Sequence, residues 1–272
     1  MKKRLPTIFL ILILIAGLSL LLYPTVSDWW NSFHQSRAIV DYEHIVDDMD
    51  KETYKKILSD AKKYNKELLT RIDRFRPSTE EMAEYNSLLD LTGTGIMGYI
   101  DIPKIHVSLP IYHGTSDAVL SAAIGHIPGS SLPVGGKSTH CVLSGHRGLP
   151  SAKLFSDLDK IFEGDTFVIH TLKEELTYQV DQIRIVKPEQ VDDITIENGK
   201  DYCTLVTCTP YGINSHRLLV RGHRIANVRD NGDIIVMSDA LQIEPIAIAP
   251  IIAAPILLIL AIIVFIKPSK KK

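Results

Sequence analysis

The chain has little cysteine: three in 272 residues, Cys141, Cys203 and Cys208. A secreted scaffold stapled by disulfides needs a denser, even-numbered set, so that class is excluded. Three thiols cannot all pair among themselves, and at least one must stay free or bond another chain. An excess of one charge is also missing. Thirty Lys+Arg against 32 Asp+Glu give a formal net charge of −2, and no basic stripe runs beside aromatics, which sets nucleic-acid binding aside. The ten histidines are scattered and lack the paired spacings of a zinc site, so neither a metal nor another cofactor is expected. No internal repeat occurs.

What is present in quantity is apolar sequence, concentrated at the two ends. Residues 5–23 (LPTIFLILILIAGLSLLLY) carry no charge, and roughly 20 such residues in a helix cross a hydrocarbon core. Met1-Lys-Lys-Arg4 precedes the run, which places the N-terminus in the cytoplasm by the positive-inside rule. A cleaved signal peptide is the rival reading. The run is longer than a usual signal core and no small-x-small cleavage site follows it, so a retained anchor over residues 5–27 is expected. Residues 245–266 form a second apolar run, followed by the basic tail 267–272. Both termini are then expected in the cytoplasm, with the region between the two spans outside the cell.

The external region divides by texture. From residue 28 to about 90, apolar residues recur at helical spacing: Ile39, Tyr42, Ile45, Val46 and Met49, then Tyr54, Ile57, Leu58 and Ala61, then Tyr64, Leu68 and Ile72. Segment 71–77, Arg71-Ile-Asp-Arg-Phe-Arg-Pro77, interrupts this pattern, because Pro77 cannot continue a helix. Ser78-Thr-Glu-Glu81 then reads as a capped helix start. After the turn-rich Leu91-Thr-Gly-Thr-Gly95, short β-branched runs alternate with Gly, Pro, Asp and Asn through residue 228. Strands are expected at Met97–Ile102, His140–Leu143, Thr166–His170, Leu176–Ile185, Tyr202–Cys208 and Arg217–Val220. This spacing predicts a mainly β domain, a barrel or sandwich, over 91–228, and a linker over 229–244. Ser151 to Leu158 reads as a short helix or turn.

Two segments carry candidate chemistry. In Leu143-Ser-Gly-His-Arg-Gly148 a histidine follows an apolar strand into a glycine-flanked turn. In Thr204-Leu-Val-Thr-Cys-Thr-Pro210 a strand ends in cysteine, and Arg217 opens the next strand nine residues later. A strand-end thiol can face a cleft, an imidazole can move protons, and a guanidinium can hold developing negative charge. Each residue alone has a plainer reading. Cys141 and Cys203 sit inside apolar strands and behave as small buried hydrophobes.

Together, Thr204-Leu-Val-Thr-Cys208, His146 in Ser144-Gly-His-Arg-Gly148, and Arg217 in Asn214-Ser-His-Arg-Leu-Leu-Val-Arg-Gly222 resemble the sortases, cysteine transpeptidases of Gram-positive surfaces. The resemblance spans about residues 98–224. The stretch 143–165, residues 208–214 and the second apolar run are similar to the pilin-polymerising branch, class C. It implies a closed eight-stranded β-barrel with a helical N-terminal region and a transmembrane helix at each end. By the same resemblance, Cys208 is the nucleophile toward an LPxTG-like sorting signal and His146 the acid and base. Arg217, helped by a backbone N–H near Thr209, holds the oxyanion. The implied partners are surface proteins or pilins bearing the signal, a pilin lysine as acceptor, and the lipid bilayer. Pockets for the signal are expected around residues 182–198.

One departure stands out. Class C sortases carry a lid with an Asp-Pro-aromatic motif, whose Asp lies near the Arg and whose ring lies over the Cys. Here the segment reads Asp73-Arg74-Phe75, with Arg74 where Pro is expected; a looser lid follows. The competing readings are a housekeeping sortase that anchors proteins to cell-wall peptide, a non-catalytic membrane-bound assembly factor, and a papain-like hydrolase. In the last, the Cys would precede the His in sequence and open a helix; here His146 comes first.

Overall fold

The computed structural model describes residues 5–227. The linker 229–244, the apolar run 245–266 and the basic tail lie outside the described residues, as does the basic start 1–4.

Helix α1 (Leu5–Asp47) is one continuous element that passes through Pro24. The anchor and the first amphipathic helix, expected as separate pieces, thus fall within one helical element. Pro24 removes one N–H without ending it, a tolerance typical of membrane-type helices. Among the described residues, α1 is the one helix long and apolar enough to cross a membrane. Residues 5–29 form one compact unit and residues 30–227 belong to another.

In that second unit α2 (Lys51–Glu67) starts at Asp50, whose Oδ1 accepts the N–H of Glu52 and Thr53 at 2.9 Å each. This is N-cap chemistry that satisfies two orphan donors. α2 ends before Ile72, which is 97% exposed; the apolar spacing therefore overran the helix by one turn. α3 (Thr79–Ser87) starts at the expected Ser78. Ser78 and Glu81 exchange hydrogen bonds in a capping box.

Eight strands follow: β1 (Ile96–Ile102), β2 (Val107–His113), β3 (Ile124–His126), β4 (Thr139–Ser144), β5 (Thr166–Thr171), β6 (Glu174–Val186), β7 (Asp201–Thr209) and β8 (His216–Arg224). They close into a barrel in the order β1-β2-β3-β4-β7-β8-β6-β5, with β5 returning to β1. Closure removes every free edge. Six of the eight junctions are antiparallel; β2–β3 and β4–β7 are parallel. The expected eight-stranded barrel is therefore observed. β2 and β3 escaped the strand pattern, and residues 149–160 are turns ending in a 3₁₀ turn at Leu158–Lys160.

Alternate residues of each strand fill the interior. Ile100, Ile111, Ile124, Leu205 and Val220 are fully buried, and Ala61, Tyr64 and Tyr85 from α2 and α3 join the same core. Each such large side chain contributes roughly 1.5–3 kcal/mol by leaving water. Polar pins tie the helices on. The Tyr42 hydroxyl donates to Met97 O and accepts the Leu172 N–H. Asn65 bonds both the N–H and C=O of Leu132.

Candidate active site

The site grows from two strand pairings. In the β7–β8 ladder Cys208 lies directly opposite Arg217, and Thr209 opposite His216. Directly opposed residues share a sheet face, with Cβ atoms about 4.5–5.5 Å apart. The core side of β7 is taken by Leu205 and Thr207; Val206, and so Cys208, face outward. Cys208 is partly exposed at the strand end.

The second pairing is the parallel β4–β7 ladder, from Thr139↔Asp201 to Ser144↔Val206. Its register continues past the end of β4. The Gly145 N–H donates to Val206 O at 3.0 Å and Gly145 O accepts the Thr207 hydroxyl at 2.8 Å. Arg147 Nη1 reaches Thr209 Oγ1 at 3.4 Å. His146 lies in the turn that leaves β4, between Gly145, which bonds Val206 and Thr207, and Arg147, whose side chain reaches Thr209. The His146 carbonyl accepts the Phe155 N–H at 3.1 Å, and Arg147 is ion-paired to Asp159. Gly145 is required here, because a Cβ would stand 2.7 Å from the Phe155 ring. The ladder thus brings Cys208 and Arg217 together, and His146 sits in the turn after the strand that neighbours β7.

Arg217 Nη1 donates to the carbonyls of Asn214 and His216 at 3.2 and 3.1 Å. Its Nε and Nη2 make no hydrogen bond among the described residues. Beside the pair runs a groove of about 490 Å³, lined by Val206, Leu219, Ser144 and Arg217 on the barrel and by residues 186–194 of the β6–β7 connection. That stretch lies within the 182–198 region expected to bind the signal.

Segment 71–77 forms the groove's other rim through Phe75 and Pro77. The Phe75 ring packs on an apolar cluster of Val142, Val186, Ile194, Val206 and Leu219. Arg74 lies 4.8 Å over that ring and donates to Ile194 O at 3.1 Å. Gly129 admits the segment, since a Cβ there would meet Arg74 O at 2.0 Å. Asp73 takes a left-handed φ of 56° and is exposed. Among the described residues Asp73 makes no ion pair with Arg217.

A buried network behind the groove carried no signal in the sequence. His140 Nδ1 donates to Thr195 O at 2.7 Å, which leaves Nε2 to accept the Thr204 hydroxyl at 2.7 Å. Burial holds the His140 pKa down at about 4, aided by Arg221 and Arg74 and opposed by the Thr195 carbonyl. Among the described residues no group of His, Cys, Asp and Glu could hold a metal.

A closed barrel that presents a strand-end thiol opposite a guanidinium is a suitable frame for a cysteine-dependent enzyme. The family model described as the Sortase domain matches residues 100–225. Sortase D of Bacillus subtilis is 30% identical over 151 residues, covering 54% of this chain and 73% of that protein. Among solved structures, sortase C1 from Streptococcus agalactiae is 59% identical with a TM-score of 0.69, covering 70% of this chain and 99% of that one. A Streptococcus pneumoniae sortase C is 44% identical with a TM-score of 0.63, covering 70% and 97%. The chain belongs to the sortase family of cysteine transpeptidases and is most like its class C members.

Proposed function

We propose that this transpeptidase polymerises pilins, with Cys208, His146 and Arg217 as its catalytic residues. The observation that carries the reading is the β7–β8 register, which sets Cys208 against Arg217; the turn bearing His146 leaves β4, the neighbour of β7. Cys208 Sγ attacks the threonine carbonyl of an LPxTG-like sorting signal. His146 protonates the departing amine, leaving an acyl-thioester on Cys208. A lysine amine of the next pilin then gives its proton to His146 and attacks the thioester, releasing the thiol and forming an isopeptide bond. Arg217 and the N–H near Thr209 hold the oxyanion in both steps. Support for a pilin substrate comes from neighbours: the pneumococcal structure is described in terms of pilin substrate specificity, and another is a sortase C1 of a Streptococcus agalactiae pilus island.

Segment 71–77 acts as a lid whose Phe75 occupies the groove that the signal's apolar residues would fill. Arg74 supplies through one hydrogen bond the hold that a proline would supply through stiffness. The catalytic domain, 91–228, and the helical region 28–90 lie outside the cell. The span 5–27 and the C-terminal span 245–266 hold both termini in the cytoplasm.

Intact mass spectrometry of the protein with an LPxTG peptide tests the scheme. The expected result is an acyl adduct on Cys208 that is absent in Cys208→Ala. No adduct with any sorting peptide overturns it. Release of the adduct by a pilin lysine peptide, and not by a cell-wall peptide amine, separates pilus building from surface anchoring.

A further inference from the structure

Two thiols take no part in this chemistry. Cys141 on β4 and Cys203 on β7 are register partners across the parallel ladder. Both point into the barrel core, 3% and 0% exposed, and belong to the same apolar cluster. Cys203 and the buried His126 are the polar neighbours of the Cys141 thiol. Neighbouring strands lie about 4.7–4.9 Å apart, and disulfides span Cα separations of about 4.4–6.8 Å. The two positions therefore meet the backbone requirement without moving a strand, and their side chains share one face.

Their place in the chain gives the pair a consequence. Cys203 lies five residues before Cys208, and Cys141 lies five residues before His146. The rung that joins the two buried cysteines belongs to the ladder whose strands lead on to His146 and to Cys208. A covalent bond at that rung would fix the register of the site.

We propose that Cys141 and Cys203 form a disulfide between β4 and β7, with a small-molecule disulfide such as oxidised glutathione as the oxidant, and that Cys208 is left as the chain's one free thiol. In the first step one protein thiolate attacks a sulfur of the oxidant. The oxidant's S–S bond breaks, a mixed disulfide forms, and one glutathione thiol leaves with a proton. The second protein thiolate then displaces the remaining glutathione, which leaves with the second proton. Two protein thiols are oxidised and one disulfide is reduced, so electrons and protons balance. Because both sulfurs are buried, and burial pushes the Cys203 thiol well above its ordinary pKa, the exchange belongs to the folding chain or to a transiently opened barrel rather than to the closed fold. The partly exposed Cys208 has no such restriction.

The test uses the full chain in detergent carrying Cys208→Ala, so that just the two core thiols remain. It is held with oxidised glutathione at a urea concentration that opens the barrel transiently, then unfolded and treated with iodoacetamide. The expected product has lost the mass of two hydrogens, takes no alkylation, and yields a tryptic peptide linking Cys141 to Cys203. Reduction then restores two alkylation sites. Two alkylated thiols, or one glutathione on each cysteine, overturn the proposal. In the wild-type chain the same treatment must leave Cys208 out of any intramolecular bond; a link from Cys208 to either core cysteine also overturns it. Neither result depends on whether Cys208 is the acylated residue.

Discussion

The two rims of the groove are held in different ways. The barrel rim is continuous β ladder, in which Val206, Cys208, Arg217 and Leu219 are placed by backbone pairing and cannot shift singly. The opposite rim, segment 71–77, is irregular chain: Arg71 ties its start to Glu84 and Glu81, while its middle rests on the Phe75 ring and one Arg74 hydrogen bond. Rigid elements hold reacting groups to the tolerance that acyl transfer needs, whereas the middle of segment 71–77, held by two weak contacts, can leave when a substrate arrives. In the proposed function the first rim serves chemistry and the second serves access. Changes to the ladder side should cost rate or stability, and changes to the other side should raise reactivity.

The largest effect is expected at Arg217. Arg217→Ala should lower peptide transfer by about 10²–10³-fold, the usual loss of one oxyanion donor, with an unchanged circular dichroism spectrum. A loss below threefold would remove Arg217 from the chemistry. Next comes His140, which braces the ladder rim through Thr195 and Thr204. Its folded pKa is about 4 against an ordinary 6.5. As pH falls the unfolded chain takes up this proton first, so the stabilisation is complete above pH 6.5 and drains away between 6.5 and 4. That gap corresponds to about 3 kcal/mol. Urea midpoints at pH 7 and 4.5 should therefore differ less in His140→Gln than in the wild type. Equal pH slopes would show that other groups set the acid response.

Local pattern made much of the ladder rim legible. β-branched runs located β4, β5, β6, β7 and β8 to within a few residues, and the nine-residue spacing from Cys208 to Arg217 already suits a hairpin. β2 was hidden because Pro110, which cannot donate to a ladder, argues against a strand, and β3 because three residues carry no period. The same limit hid that the strand leading to His146 lies beside the strand that ends in Cys208. This is a parallel pairing of β4 with β7, distant in sequence, and no short window encodes it. Arg74 to Ile194 and His140 to Thr195 are long-range for the same reason. Ile72 shows the opposite error, since its spacing matched a helix that had already stopped at Glu67.

The access rim separates into two contributions of different size. Phe75→Ala removes a half-buried ring, worth about 1–2 kcal/mol of apolar contact, and should speed alkylation of Cys208 by a small thiol reagent by roughly tenfold at the midpoint of that range. Arg74→Ala removes one neutral-acceptor hydrogen bond, about 1 kcal/mol net, and should speed it by about fivefold. Both variants should lower the unfolding free energy by no more than these same amounts, about 1–2 kcal/mol, because neither residue belongs to the main barrel core. If Phe75→Ala alone accelerates labelling, the ring closes the groove and the Arg74 bond to Ile194 is incidental. If neither does, segment 71–77 is a fixed wall, and the two rims differ in structure without differing in function.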